Sequence, residues 1–169
     1  METRIEESTR VILNVNGEEH QVEVYGDETL VSTLRERLGL TGTNVMCDEG
    51  ACGSCTVLID GTPVLSCMTL AIESEGKEIT TIEGLADAAN EQLHPIQRAF
   101  VDLSGMQCGT CTPAMILTAK SLLDRNTDPS EDDVREALSG NLCRCGHYKA
   151  IVQSVLLAAD RMKKDKRSG

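Results

Sequence analysis

The chain has 169 residues, of which 40% are apolar but only 2% aromatic, with no tryptophan and a formal net charge of −11. That supply suffices for an aliphatic core in one ordinary domain or two small ones, while the scarcity of stacking rings and the acidic balance argue nucleic acid out as a partner. No apolar run is long enough to cross a bilayer, and residues 1–10 are charged and lack the apolar segment of a secretory signal, so the expected compartment is the cytoplasm.

Val11, Leu13 and Val15 alternate ahead of Asn16-Gly17, and Val22 and Val24 alternate after it, which predicts a β-hairpin. Residues 29–38 then place Leu30, Val31, Leu34 and Leu38 on one helical face, with Gly39 set to end the helix. A second strand pair, residues 56–59 and 64–65, flanks Asp60-Gly61, and residues 79–82 offer a further strand. The first half therefore reads as a small mixed sheet on one helix, joined to the rest through the polar stretch at residues 73–78.

From about residue 90 the pattern turns helical. Residues 95–103 form one short helix; Thr112-Pro113 supplies an N-cap and first-turn proline for a second, reaching about Asp124. Ser130 caps a third through Ser139, with Glu131, Asp132 and Asp133 in its first turn and Gly140 as its stop. The fourth spans residues 148–163, with Ile151, Val152, Val155, Leu156 and Ala159 at helical spacing. The basic residues 163–169 read as a frayed tail.

Eight cysteines punctuate this plan. In a reducing compartment so many thiols point to metal rather than to disulfides. Cys47, Cys52, Cys55 and Cys67 follow C-x4-C-x2-C-x11-C, and the first three have the plant-type ferredoxin spacing that wraps a 2Fe-2S cluster. Gly50 and Gly53 leave room for the inorganic sulfides and allow positive φ, so that backbone N–H groups can face the sulfurs. Zinc sites favour paired C-x2-C knuckles and fit this run poorly.

Cys108, Cys111, Cys143 and Cys145 follow C-x2-C, a long gap and C-x-C, a set that taken alone suits zinc almost as well as iron. Both pairs precede predicted helices, where amides and the positive dipole end stabilise a centre that gains negative charge on reduction. A thioredoxin-like role for Cys108 and Cys111 lacks its βαβ context. Cys145-Gly146-His147 has one Rieske element without the matching C-x2-H, so His147 reads as an exposed loop residue; His20 and His94 read as ordinary surface or packing residues. No Walker, G-x-S-x-G or well-placed G-x-G-x-x-G element gives the chain a substrate or nucleotide site of its own.

The runs at residues 46–57, 93–97, 107–113 and 140–145 resemble those of the small iron-sulfur subunits of molybdenum hydroxylases, the xanthine dehydrogenase and carbon monoxide dehydrogenase superfamily, in the correct order over residues 10–160. The resemblance implies an α+β chain: an N-terminal β-grasp, plant-type ferredoxin-like domain over residues 1–82, then an all-α four-helix bundle 2Fe-2S domain over residues 83–169 with a disordered basic tail. It implies an electron-relay role within an oxidoreductase, with two 2Fe-2S clusters here, the molybdopterin cofactor on a large subunit, FAD on a medium subunit, and a dimer of heterotrimers. By the same pattern the Cys108, Cys111, Cys143, Cys145 cluster lies next to the pterin, with Cys145 close to it and Gln107 in contact with it, while the Cys47, Cys52, Cys55, Cys67 cluster lies toward the flavin. Four positions depart from that pattern: Met46 replaces a glycine, Ala114 stands where a glycine follows C-T-P, and Gly146-His147 replaces Thr-Gly after the last cysteine. A freestanding two-cluster carrier and a zinc-stapled interaction module are the other readings of the same cysteines.

Overall fold

In the computed structural model, which describes residues 8–86 and 92–168 (the last four by backbone alone), the hairpin forms as expected. Asn16 and Gly17 take φ of 56° and 82°, the left-handed pair that a two-residue turn requires. They join β1 (Ser8–Val15) to β2 (Glu18–Tyr25), in register Val11↔Val22 and Leu13↔His20. Alternation buries Val11, Leu13 and Val15 on one face. β3 (Thr56–Ile59) and β4 (Thr62–Leu65) form a second antiparallel pair around Asp60-Gly61.

Between the two pairs runs β5 (Glu78–Thr80), parallel to β1 and antiparallel to β3, which gives a five-stranded mixed sheet in the order β2-β1-β5-β3-β4. This corrects the reading of residues 73–78 as a linker. They fold instead into a 3-10 turn (Ile72–Ser74) and the entry to the central strand, where the Glu75 carboxylate accepts from Ile12 N at 3.1 Å. Their polar groups bond to the strands of the sheet rather than forming a free connection.

The helix expected at residues 29–38 begins as α1 (Leu30–Ser32), capped by the Thr29 side chain, and passes into a π turn, Thr33–Arg37. The wider turn still buries Leu30 and Leu34 against the sheet, while Val31 packs with Cys55 and Cys67. Glu28 anchors it, accepting from Arg37 Nε at 2.6 Å and Nη2 at 2.7 Å and from Thr33 Oγ1 at 2.9 Å.

The second half contains α2 (Pro95–Asp102), α3 (Thr112–Arg125), α4 (Glu131–Ala137) and α5 (Tyr148–Ser168). His94 is not an idle surface residue: its Nδ1 accepts from Ile96 N while Gln97 Oε1 accepts from His94 N, a capping box that starts α2. Ser130 and Asp133 cap α4 in the same reciprocal way. The N-cap of α3 is Cys111 rather than Thr112, one residue earlier than expected. α5 runs to Ser168, so the tail continues the helix where fraying was expected; its lysines and arginines are good helix formers and favour a C-terminal turn.

α2 packs on α5, α4 on α3 and α5, and α3 lies across β3. That last contact explains why all four residues of β3 are buried and why Leu58 belongs to the helical core with Phe100, Met115 and Ile151. Ser121 on α3 donates to Gly61 O at 2.7 Å in the β3–β4 turn. Among the described residues no helix is long and apolar enough to cross a membrane.

Candidate functional site

The β3–β4 register places Thr56 opposite Leu65, so Cys55, just before β3, and Cys67, two residues after β4, pack together at one end of the sheet. Ser66 N and Oγ both donate to Cys55 O, the latter at 2.6 Å. Cys55 and Cys67 are 3% and 6% exposed, walled by Val31 and Leu65. Cys47 and Cys52 complete the group from the preceding loop, which turns back on itself through positive φ at Asp48, Gly50 and Gly53.

That winding aims amides at sulfur. Cys52 N donates to Cys47 Sγ at 3.3 Å, and the N–H groups of Glu49, Cys52 and Ala51 with the Cys52 thiol hold the Cys47 thiol down to about 7. Burial, then the adjoining Cys55 thiol, pushes Cys67 up to about 11 against a donating Gly50 N–H. The charge of Cys47 also acts on Cys67, so the loop thiols and the thiols at the strand ends influence one another. Amides, left-handed glycines and an apolar wall suit an anionic centre on these thiolates.

The second set assembles at the ends of the helices. Cys111 is the buried N-cap of α3 and Cys108 is exposed, with Gly109 at φ 87° between them. Cys143 and the exposed Cys145 come from the loop before α5, where the Tyr148 hydroxyl accepts from Cys143 N at 2.8 Å. The Thr110 hydroxyl and amide, with the Cys145 thiol, hold Cys108 down to about 7, while burial beside Cys143 pushes Cys111 up to about 12. Both sets thus pair an acidic outer thiol with a buried inner one. The expectation of sulfurs at helix starts is met most closely by Cys111; Cys145 stands three residues before α5.

Gln107 and His147 stand at the outer edge of this second group. His147 is half-buried rather than an exposed loop residue: Nδ1 lies 3.0 Å from Gln107 Nε2 and Nε2 lies 3.0 Å from Ser104 O. Gln107 itself is exposed. Of the other departures, Met46 is half-exposed with Ser54 Oγ 3.1 Å from its sulfur, and Ala114 is fully buried in α3.

The two groups touch through backbone. Leu142 N, next to Cys143, donates to Cys52 O at 2.8 Å. The buried Asn141 donates to Gly53 O at 2.9 Å and Thr56 Oγ1 at 3.2 Å, and accepts from Thr118 Oγ1 at 3.0 Å. Asn44 donates to Thr110 O at 2.9 Å, adjacent to Cys111. A Cβ at Gly53 would sit 2.2 Å from Gly140 O, so this glycine also admits the helical half. Sequence reasoning missed Asn44 and Asn141, because an asparagine in a turn carries no signal of a distant partner.

Residues 13–86 match the 2Fe-2S iron-sulfur cluster binding domain family, and residues 81–156 match the [2Fe-2S] binding domain family. The chain is 44% identical over 149 residues to the nicotinate dehydrogenase small FeS subunit of Eubacterium barkeri, covering 88% of this chain and 94% of that protein. It is 46% identical over 144 residues to the nicotine 6-hydroxylase small subunit of Paenarthrobacter nicotinovorans, covering 85% of this chain and 86% of that one. The chain belongs to the 2Fe-2S small subunits of the molybdenum hydroxylases. A chain of quinoline 2-oxidoreductase from Pseudomonas putida 86 superposes on this small subunit with TM-score 0.88 at 43% identity, covering 93% of this chain and 97% of that chain. This small subunit has two 2Fe-2S domains, so the zinc reading of its second cysteine set is set aside, and its role is electron transfer within an oxidoreductase.

Proposed function

We propose that Cys47, Cys52, Cys55 and Cys67 hold one 2Fe-2S cluster, that Cys108, Cys111, Cys143 and Cys145 hold the other, and that the chain relays electrons between a molybdopterin centre on a large subunit and FAD on a medium subunit. The observation that carries this reading is the hydrogen bond from Leu142 N to Cys52 O, which joins a residue of one quartet to the neighbour of a residue of the other. Each cluster, once assembled, takes up and releases a single electron.

The chain's own residues prepare that exchange. Amides of Glu49, Ala51 and Cys52 at Cys47, and of Thr110 at Cys108, favour added negative charge, and the Val31–Leu65 wall keeps water from the inner sulfurs. Apolar side chains are exposed beside both groups, Met46 and Met68 near the first and Met106 and Leu142 near the second. They support partners on two sides, with the second cluster toward the pterin, Gln107 and Cys145 at that contact, and the first toward the flavin. The same reading takes residues 1–82 as a β-grasp domain and residues 83–169 as a four-helix bundle, supported by the sheet order and by the packing of α2 and α4 on α5 and of α3 on α2 and α4. It places a dimer of heterotrimers in the cytoplasm.

Purified protein is expected to contain about four irons and about four labile sulfides per chain. Cys55→Ser and Cys111→Ser should each remove about half of that content, and the intact chain should co-purify with two larger subunits when the three are co-expressed. Zinc without sulfide, or loss of all iron from either single variant with the fold intact, would overturn the assignment.

A further inference from the structure

We infer that His147 is a positioning residue that fixes the exposed amide of Gln107 at the outer edge of the second cluster, so that the amide oxygen is the atom offered to the partner's cofactor. The inference rests on the proposed contact of Gln107 with the pterin. For the neutral imidazole the hydrogen-bond pattern leaves one arrangement. Ser104 O, 3.0 Å from His147 Nε2, is a carbonyl and can only accept, so Nε2 carries the proton. In the neutral ring Nδ1 is then a lone pair, and the atom 3.0 Å from it is Gln107 Nε2, a donor. Turning the amide over would set its oxygen against that lone pair. Gln107 Oε1 makes no hydrogen bond among the described residues, and the side chain is exposed.

The bridge ties together three pieces of chain at this edge. Ser104 sits in a left-handed turn (φ 52°) after α2, Gln107 directly precedes Cys108, and His147 follows Cys145 by two residues. Cys108 and Cys145 are the two exposed cysteines of the set. A glycine at 147, which the family pattern carries, has no side chain to make either bond. This chain therefore presets that orientation within itself. The group recognised across the interface is accordingly a hydrogen-bond donor, an N–H or amino group on the partner's cofactor.

The test uses the assembled complex with both clusters loaded. His147→Leu and His147→Gly remove the clamp with and without bulk. His147→Asn keeps an acceptor near the Nδ1 position, and Gln107→Ala removes the amide. Iron content of about four per chain confirms loading. Two quantities are read: the reduction potential of each cluster, with the first as internal reference, and the rate at which the second cluster bleaches after substrate is added. The Leu and Gly variants are expected to shift the potential of the second cluster alone and to slow its bleaching on the order of tenfold. The Asn variant should return the rate to within about twofold of wild type, as the retained acceptor requires. If Gln107→Ala slows bleaching but His147→Leu and His147→Gly match wild type in both quantities, the positioning role is overturned and the pterin contact stands. If Gln107→Ala leaves the rate unchanged, the contact fails and the inference falls with it.

Discussion

Within each cysteine set the thiols are unequal, and the inequality has a physical order. Cys47 is surrounded by backbone donors and Cys108 by the Thr110 hydroxyl and amide, which hold both near 7, whereas burial pushes Cys67 to about 11 and Cys111 to about 12. Near neutral pH the outer sulfurs of the cluster-free chain are thus about half thiolate, and the inner ones are thiols whose protons the proposed clusters would displace. Brief treatment of cluster-free protein with iodoacetamide near neutral pH should label Cys47 and Cys108 first and Cys67 and Cys111 last, as read by peptide mass spectrometry. The cysteine spacing alone made both sets legible. It could not rank their sulfurs, because the ranking depends on which amides the folded loop turns toward each one. His147 was opaque for the same reason: its partners lie 40 and 43 residues away.

Helix starts and hairpin turns were the most legible elements, because their chemistry is local. Asn16-Gly17 and the Ser130–Asp133 capping box are decided within four residues. Residues 29–38 were harder. Their apolar spacing fits a helical face, but the segment widens into a π turn while Glu28, nine residues before Arg37, is held by that residue and by Thr33. Those bonds, chiefly the Arg37 pair, hold the Glu28 carboxyl below its ordinary 4.5. A carboxyl with a lowered folded-state value stabilises the fold above its unfolded value and loses that contribution as pH falls through the folded one. Glu28→Gln should therefore cost about 1–2 kcal/mol near neutral pH, and the gap to wild type should close as the pH is lowered below about 4. Thermal melting across that range measures it. A strand at residues 79–82 was legible, and β5 forms there at Glu78–Thr80, but its place at the centre of the sheet was not, because three residues carry no signal of which strands they will pair with.

The two halves are legible separately in the sequence, but their junction is not. α3 covers β3, and Asn141 reaches 88 residues along the chain to Gly53 while holding Thr118 on its other side. Removing that side chain leaves Gly53 O, Thr56 Oγ1 and Thr118 Oγ1 without a shared partner. Asn141→Ala should cost about 3 kcal/mol, a fall in Tm of roughly 6–12 °C for a chain of 169 residues. The isosteric Asn141→Asp should be at least as damaging, because a carboxylate oxygen replaces the donor that faces Gly53 O. The same junction sets Cys52 and Cys143 one hydrogen bond apart along the backbone, which is what makes two centres a relay. Low-temperature electron paramagnetic resonance of the dithionite-reduced protein tests that most directly. It should show two distinct signals of about one spin each per chain, mutually split by magnetic coupling; a single signal integrating to about one spin, or two signals with no interaction, would contradict a pair of coupled 2Fe-2S clusters.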